Sequence, residues 1–123
     1  MNLTDGKMKI FVGNAGFQLI ECMDRGAIGA MPGCSMYDIY IDIYSKYTSG
    51  KRGEAIEIHN FLLPILNHIR QNVEQIISFE KRILKRRGII ESDYCRKPSY
   101  NTDKYFDRLF DEFYSKAAER YSW

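Results

Sequence analysis

Gly13-Asn14-Ala15-Gly16 and Met31-Pro32-Gly33 are the segments in which this sequence most readily accommodates chemistry. Each follows a short apolar run of strand type, and α/β folds bind ligands at the carboxyl ends of their strands. A glycine there lacks the side chain that would keep a ligand away from the backbone. The same glycines also suit tight strand-to-helix turns with no ligand, and position alone does not separate the two roles.

Other reactive side chains are poorly arranged for catalysis. His59 and His68 do not have the i, i+4 spacing of a helical metal pair, and no neighbouring acid repairs this, so structural roles and no metal are expected. Cys34 has no histidine nearby in sequence to activate it and reads as a buried, inert thiol. Tyr37, Tyr40, Tyr44 and Tyr47 recur at helical spacing, as expected of a helix packed on another part of the structure. Lys81, Arg82, Lys85, Arg86 and Arg87 form a basic run. The first four fall on one side of a helix, opposite Val73, Ile76, Ile77, Ile83 and Leu84, which a solvated face explains. Nucleic-acid binding would call for a higher net charge and stacking aromatics nearby.

The elements that position these residues follow from periodicity. Lys9-Ile10-Phe11-Val12 is a short strand stopped by Gly13, and Ala27–Met31 is a second, ended by Pro32-Gly33. Between them Phe17, Leu19, Ile20 and Met23 recur at helical spacing, with Gly26 as the helix stop. Two strands joined by one helix predict a parallel, right-handed unit. Ser35 with Asp38 three residues on reads as a capping box opening a helix through Tyr37, Tyr40, Ile41 and Tyr44, closed at Ser49-Gly50.

Beyond Gly50 the pattern is all helical. Ala55, Ile58, Leu62, Ile65, Leu66 and Ile69 form one apolar face, with Pro64 expected to kink the rod. Asn72 with Gln75 caps a helix running to Gly88; an irregular stretch from Ile89 to Asn101 follows. A last helix carries Tyr105, Phe106, Leu109, Phe110, Phe113 and Tyr114 as an aromatic stripe.

The chain has 123 residues, 45% apolar and 28% charged, the composition of one ordinary globular domain. A formal charge of +2 and the lack of any apolar run of about 20 residues argue against nucleic-acid and membrane partners. Three widely spaced cysteines and no signal-type start suggest reduced thiols in the cytoplasm. The sheet is the anomaly. Two parallel strands are too few to be stable alone, so the sequence reads as the end of an α/β structure whose beginning lies elsewhere.

Several segments in order carry a family resemblance. Lys9–Gly16 and Arg25–Gly33 resemble the seventh and eighth strands of the dihydrodipicolinate synthase and N-acetylneuraminate lyase family. Gly50–Ala55, Leu62-Leu63-Pro64-Ile65-Leu66, Glu80–Leu84, Gly88-Ile89-Ile90 and Arg96-Lys97-Pro98 resemble successive features of its C-terminal region. The similarity spans roughly residues 8 to 112.

The resemblance implies an α/β fold: the last two βα units of a (β/α)8 barrel in residues 1–50, then a three-helix C-terminal extension in residues 51–123. A full barrel of this kind takes about 250 residues. It implies lyase chemistry on a pyruvate-type 2-keto acid through a lysine imine, with no further cofactor. The imine lysine and the proton-shuttling tyrosine belong to earlier strands, so no catalytic residue is assigned and the chain alone is expected to be inactive. Substrate-side positions carry over to Gly13, Asn14, Ala15 and the backbone at Met31. Members acting on polyol sugar acids often place Asp or Glu after the strand-seven glycine; Asn14 and Ala15 stand here instead, which argues against a sialic-acid type substrate. Family members commonly use the helical extension in oligomer contacts. Self-association is therefore expected, and a non-enzymatic module binding a full-length relative is the alternative reading.

Overall fold

The computed structural model describes residues 5–123. Its elements are β1 (Phe11–Val12), a 3-10 turn (Asn14–Gly16), α1 (Leu19–Asp24), β2 (Gly29–Ala30), α2 (Tyr37–Thr48), α3 (Arg52–Ile69), α4 (Val73–Arg86) and α5 (Lys104–Tyr121). The strands pair in parallel, Phe11 with Gly29 and Val12 with Ala30. Both are shorter than the apolar runs suggest, although Ile28 N–H donates to Ile10 O and Met31 N–H to Val12 O, each at 2.9 Å, extending the pairing by a residue at either end. The protein is thus helix-rich with one small two-stranded parallel sheet.

Two compact units are present. One comprises residues up to Gly33 together with Tyr37–Leu63; the other comprises Cys34–Met36 and Pro64–Trp123. The chain changes unit after Gly33, after Met36 and at Leu63–Pro64, the last of these inside α3. α3 continues through Pro64, which is exposed.

In the first unit the buried apolar side chains on the helices are Leu19, Ile20 and Met23 on α1, Ile39, Tyr40 and Ile43 on α2, and Ala55, Ile58 and Leu62 on α3. Of the stripe expected on α2 only Tyr40 is buried, while Tyr37, Ile41 and Tyr44 are exposed. α1 ends at Gly26, φ +99°, where Ala27 N–H reaches back to Cys22 O at 2.9 Å and Gly26 N–H to Met23 O at 2.9 Å, satisfying two carbonyls of the last turn. Gly50 and Gly88 close α2 and α4 with the same pair of bonds. Asp24 ties three elements together. Arg52 of α3 grips its carboxylate in bidentate fashion, Nε to Oδ1 at 3.0 Å and Nη2 to Oδ2 at 2.6 Å, and the Tyr47 hydroxyl of α2 donates to Oδ1 at 2.8 Å. These donors hold the Asp24 carboxyl at about 2, below its ordinary 3.8, and push Tyr47 and Arg52 upward in turn.

The second unit is built around Phe79, whose ring lies 4.7 Å from Phe110, 5.4 Å from Phe106 and 6.4 Å from Tyr100. Asn72 caps α4 as its side-chain oxygen accepts from Gln75 N–H at 2.8 Å. Asp103 caps α5 by accepting from the amides of Tyr105 and Phe106. The basic run lies at the surface as expected, Lys85 and Arg86 exposed and Lys81 and Arg82 half-buried, but its cations are also paired. Lys81 donates to Tyr94 O, Arg82 pairs with Asp107 at 2.7 Å, Lys85 with Asp93 at 3.1 Å and Arg86 with Asp111 at 2.6 Å. Arg82 and Arg86 also lie over the Phe79 and Phe110 rings, at 4.5 and 4.9 Å from the centroids.

Ser35 departs from the capping box. Its amide donates to Glu80 Oε2 at 2.9 Å rather than to Asp38, and its carbonyl accepts from Arg87. Its hydroxyl is buried and has no hydrogen-bond partner among the described residues. Glu80 is itself held by Arg70, 2.8 Å away, with both side chains 14% exposed. Within the second unit, to which Ser35 belongs, the Arg70–Glu80 pair makes the bond expected of a local acid.

Candidate functional site

The parallel register brings Gly13 and Met31 to the same end of the sheet, since each directly follows its strand and Met31 N–H is bonded to Val12 O. Gly13, Asn14 and Met31 are exposed there. Ala15 is not: it is buried at 3% exposure, so its methyl group faces the protein rather than the opening. Lys9 precedes β1 and so belongs to the opposite end, with Lys7 before it in sequence.

The turn after β1 has unusual backbone geometry. Gly13 is extended, and Asn14, Ala15 and Gly16 follow with φ of 50°, 53° and 69°. Left-handed conformation costs roughly 1–2 kcal/mol for most residues with a Cβ; Asn14 tolerates it, but Ala15 must be held there by its surroundings. Gly16 is required for a different reason as well: a Cβ would lie 3.3 Å from Tyr40 Cε1. The turn's own bonds run from Gly16 N–H to Gly13 O at 3.0 Å and from Phe17 N–H to Asn14 O at 3.2 Å.

Two further bonds come from distant helices. The Tyr40 hydroxyl of α2 donates to Ala15 O at 2.6 Å, and His59 Nε2 of α3 lies 2.8 Å from Gly16 O. A carbonyl only accepts, so Nε2 carries the proton. Both side chains are buried. Sequence reasoning gave Tyr40 and His59 general packing roles; nothing local marks a side chain that reaches a carbonyl 25 or 43 residues away.

An apolar cleft of about 480 Å³ borders the sheet, lined by Phe11, Ile28, Ala30, Tyr40, Ile41 and Tyr44 among others. Ile10, Phe11 and Ile28 are exposed on or beside the strands, whereas Val12 is buried, so the open sheet surface is made by a different set than strict alternation suggests.

His68 Nε2 lies 3.0 Å from Phe106 O and its ring stacks on Phe106 at 3.8 Å. Among the described residues no group of three or more His, Cys, Asp or Glu side chains could hold a metal ion. Cys34 is an exposed free thiol rather than the buried one expected, because it lies in the connection between β2 and α2. Among the described residues no helix is long and apolar enough to cross a membrane.

A parallel strand–helix–strand followed by helices is an arrangement of the α/β class. No protein-family profile matches the chain, and no curated protein does. A solved structure does match: a dihydrodipicolinate synthase from Rhodopseudomonas palustris, 30% identical, with a TM-score of 0.80 over 89% of this chain. The match covers 36% of that enzyme, so this chain spans little more than a third of its length. In sequence and fold this chain is similar to the C-terminal part of a dihydrodipicolinate synthase.

Proposed function

We propose that this chain forms the last two βα units and the helical extension of a Schiff-base lyase barrel acting on a pyruvate-type 2-keto acid. In such an enzyme a lysine amine adds to the substrate ketone and expels water; the resulting iminium accepts the electron pair of the carbon–carbon or carbon–oxygen bond being broken. The lysine belongs to another strand. Gly13, Asn14 and the Met31 backbone contribute the substrate-facing rim. The observation that carries this reading is the juxtaposition of Gly13 and Met31 at the carboxyl end of a parallel pair, in a chain of 30% identity to a dihydrodipicolinate synthase.

The apolar cleft and the exposed Ile10, Phe11 and Ile28 support the same reading, because a lone pair of parallel strands leaves surface that neighbouring strands would cover. The isolated chain is therefore expected to be helical, self-associating and positive for hydrophobic dye. Mixing it with a segment comprising the first six βα units of the R. palustris relative tests the proposal. Sedimentation should show a 1:1 complex, and dye binding should fall on mixing. A monodisperse, dye-negative monomer that ignores the segment would overturn it.

A second reading is a non-catalytic module in which the helices from Arg52 onward bind a full-length relative. The exposed Val73, Ile77, Tyr105 and Leu109 on α4 and α5 favour it. Binding to an intact relative, but not to the six-unit segment, would select this reading.

A further inference from the structure

We infer that Tyr40 and His59 are positioning residues: they fasten the left-handed turn Asn14-Ala15-Gly16 from two different helices and thereby fix how Gly13 and Asn14 are presented at the strand end. The functional value of that presentation rests on the reading above; the fastening itself does not.

The turn's successive carbonyls, at Ala15 and Gly16, each accept from a buried donor, the Tyr40 hydroxyl at 2.6 Å and His59 Nε2 at 2.8 Å. With both carbonyls held inward, the amides of Gly16 and Phe17 are left to close the turn onto Gly13 O and Asn14 O. Gly13 and Asn14 remain exposed while Ala15 and Gly16 are buried. Neither bond exists for the stability of its own helix: each donor leaves α2 or α3 to satisfy a loop carbonyl. A buried carbonyl without a donor is unfavourable, so removing either donor frees the turn to leave a conformation that Ala15 does not choose on its own. Tyr40 also sets the size limit at Gly16, because any Cβ at that position would approach its Cε1 to 3.3 Å.

Hydrogen exchange of the whole chain, read by mass spectrometry residue by residue, tests this. Tyr40→Phe removes only the hydroxyl, and His59→Leu removes the ring donor. Each should speed exchange at the Gly16 and Phe17 amides about tenfold, the effect of one ordinary hydrogen bond. Amides within α4 and α5 should not change. His59→Gln keeps an N–H donor at a similar reach and should restore protection to within about twofold of the parent. Equal loss in His59→Gln and His59→Leu, or an unchanged turn in Tyr40→Phe, would overturn the inference. Because no keto acid enters the experiment, it fails or succeeds independently of the lyase reading.

Discussion

Replacing Ser35 by alanine separates two accounts of the start of α2 by the sign of the effect. A serine that caps a helix loses about 1 kcal/mol on mutation to alanine, within a range of roughly 0.5–2. In the structure the Ser35 hydroxyl caps nothing: it is fully buried, and no described residue hydrogen-bonds to it. Its amide and carbonyl, which alanine keeps, make the bonds to Glu80 and Arg87. An unsatisfied buried polar group costs about 1–3 kcal/mol. Deleting the oxygen removes that penalty and forfeits a few dispersion contacts of about 0.1–0.2 kcal/mol each. The net is a stabilisation of roughly 0.5–2 kcal/mol. With a urea slope of about 1–3 kcal/mol per molar, the midpoint should rise by around 0.5 M. Far-UV circular dichroism follows the helices, and fluorescence of the single tryptophan, Trp123, reports the second unit, since its ring lies 4.4 Å from the Arg87 guanidinium. A midpoint that falls by a comparable amount would refute the assignment and restore the capping role.

Phe79→Ala should destabilise the second unit by about 3–5 kcal/mol, because a fully buried ring with three aromatic neighbours and the Arg82 guanidinium is lost; a loss under about 1 kcal/mol in the same urea assay would contradict the packing. Asp24, held at about 2 by Arg52 and Tyr47, favours its charged form in the folded protein. Its contribution is therefore complete above the ordinary value of 3.8 and disappears as pH falls through about 2. Asp24→Asn should be less stable than the parent at neutral pH, with the two urea midpoints converging across that window; midpoints that stay equally far apart would show that the carboxylate is not the source.

How far the sequence reveals the fold depends on the range of the interactions. Gly26, Gly50 and Gly88 are legible as helix ends because their bonds reach back three or five residues. Asn72 is legible for the same reason, its acceptor serving Gln75 three positions on. Ser35 misleads because an equally local pattern loses to Glu80, 45 residues away and already placed by Arg70. The basic run is legible as a surface face but not in its pairing. Helical phase puts its cations on one side, but only the placement of Asp93, Asp107 and Asp111 shows that they are paired.

The candidate site divides along similar lines. Gly13 and Met31 are legible as neighbours because parallel strands joined by one helix bring their carboxyl ends together. The burial of Ala15 is not legible. It follows from three successive left-handed residues, of which Asn14 and Gly16 leave a sequence trace and Ala15 none, and from donors on two helices that come later in the chain.

The central claim is that this chain shapes a keto-acid site whose imine lysine lies on a different segment. Its most direct test is borohydride reduction in the presence of pyruvate, followed by intact-mass analysis of each polypeptide. The chain is measured alone and in complex with the six-βα-unit segment of its relative. The account predicts no adduct on this chain in either sample, and one reduced pyruvate adduct on the partner segment in the complex. Stoichiometric trapping on a lysine of this chain, Lys7 and Lys9 included, would contradict it.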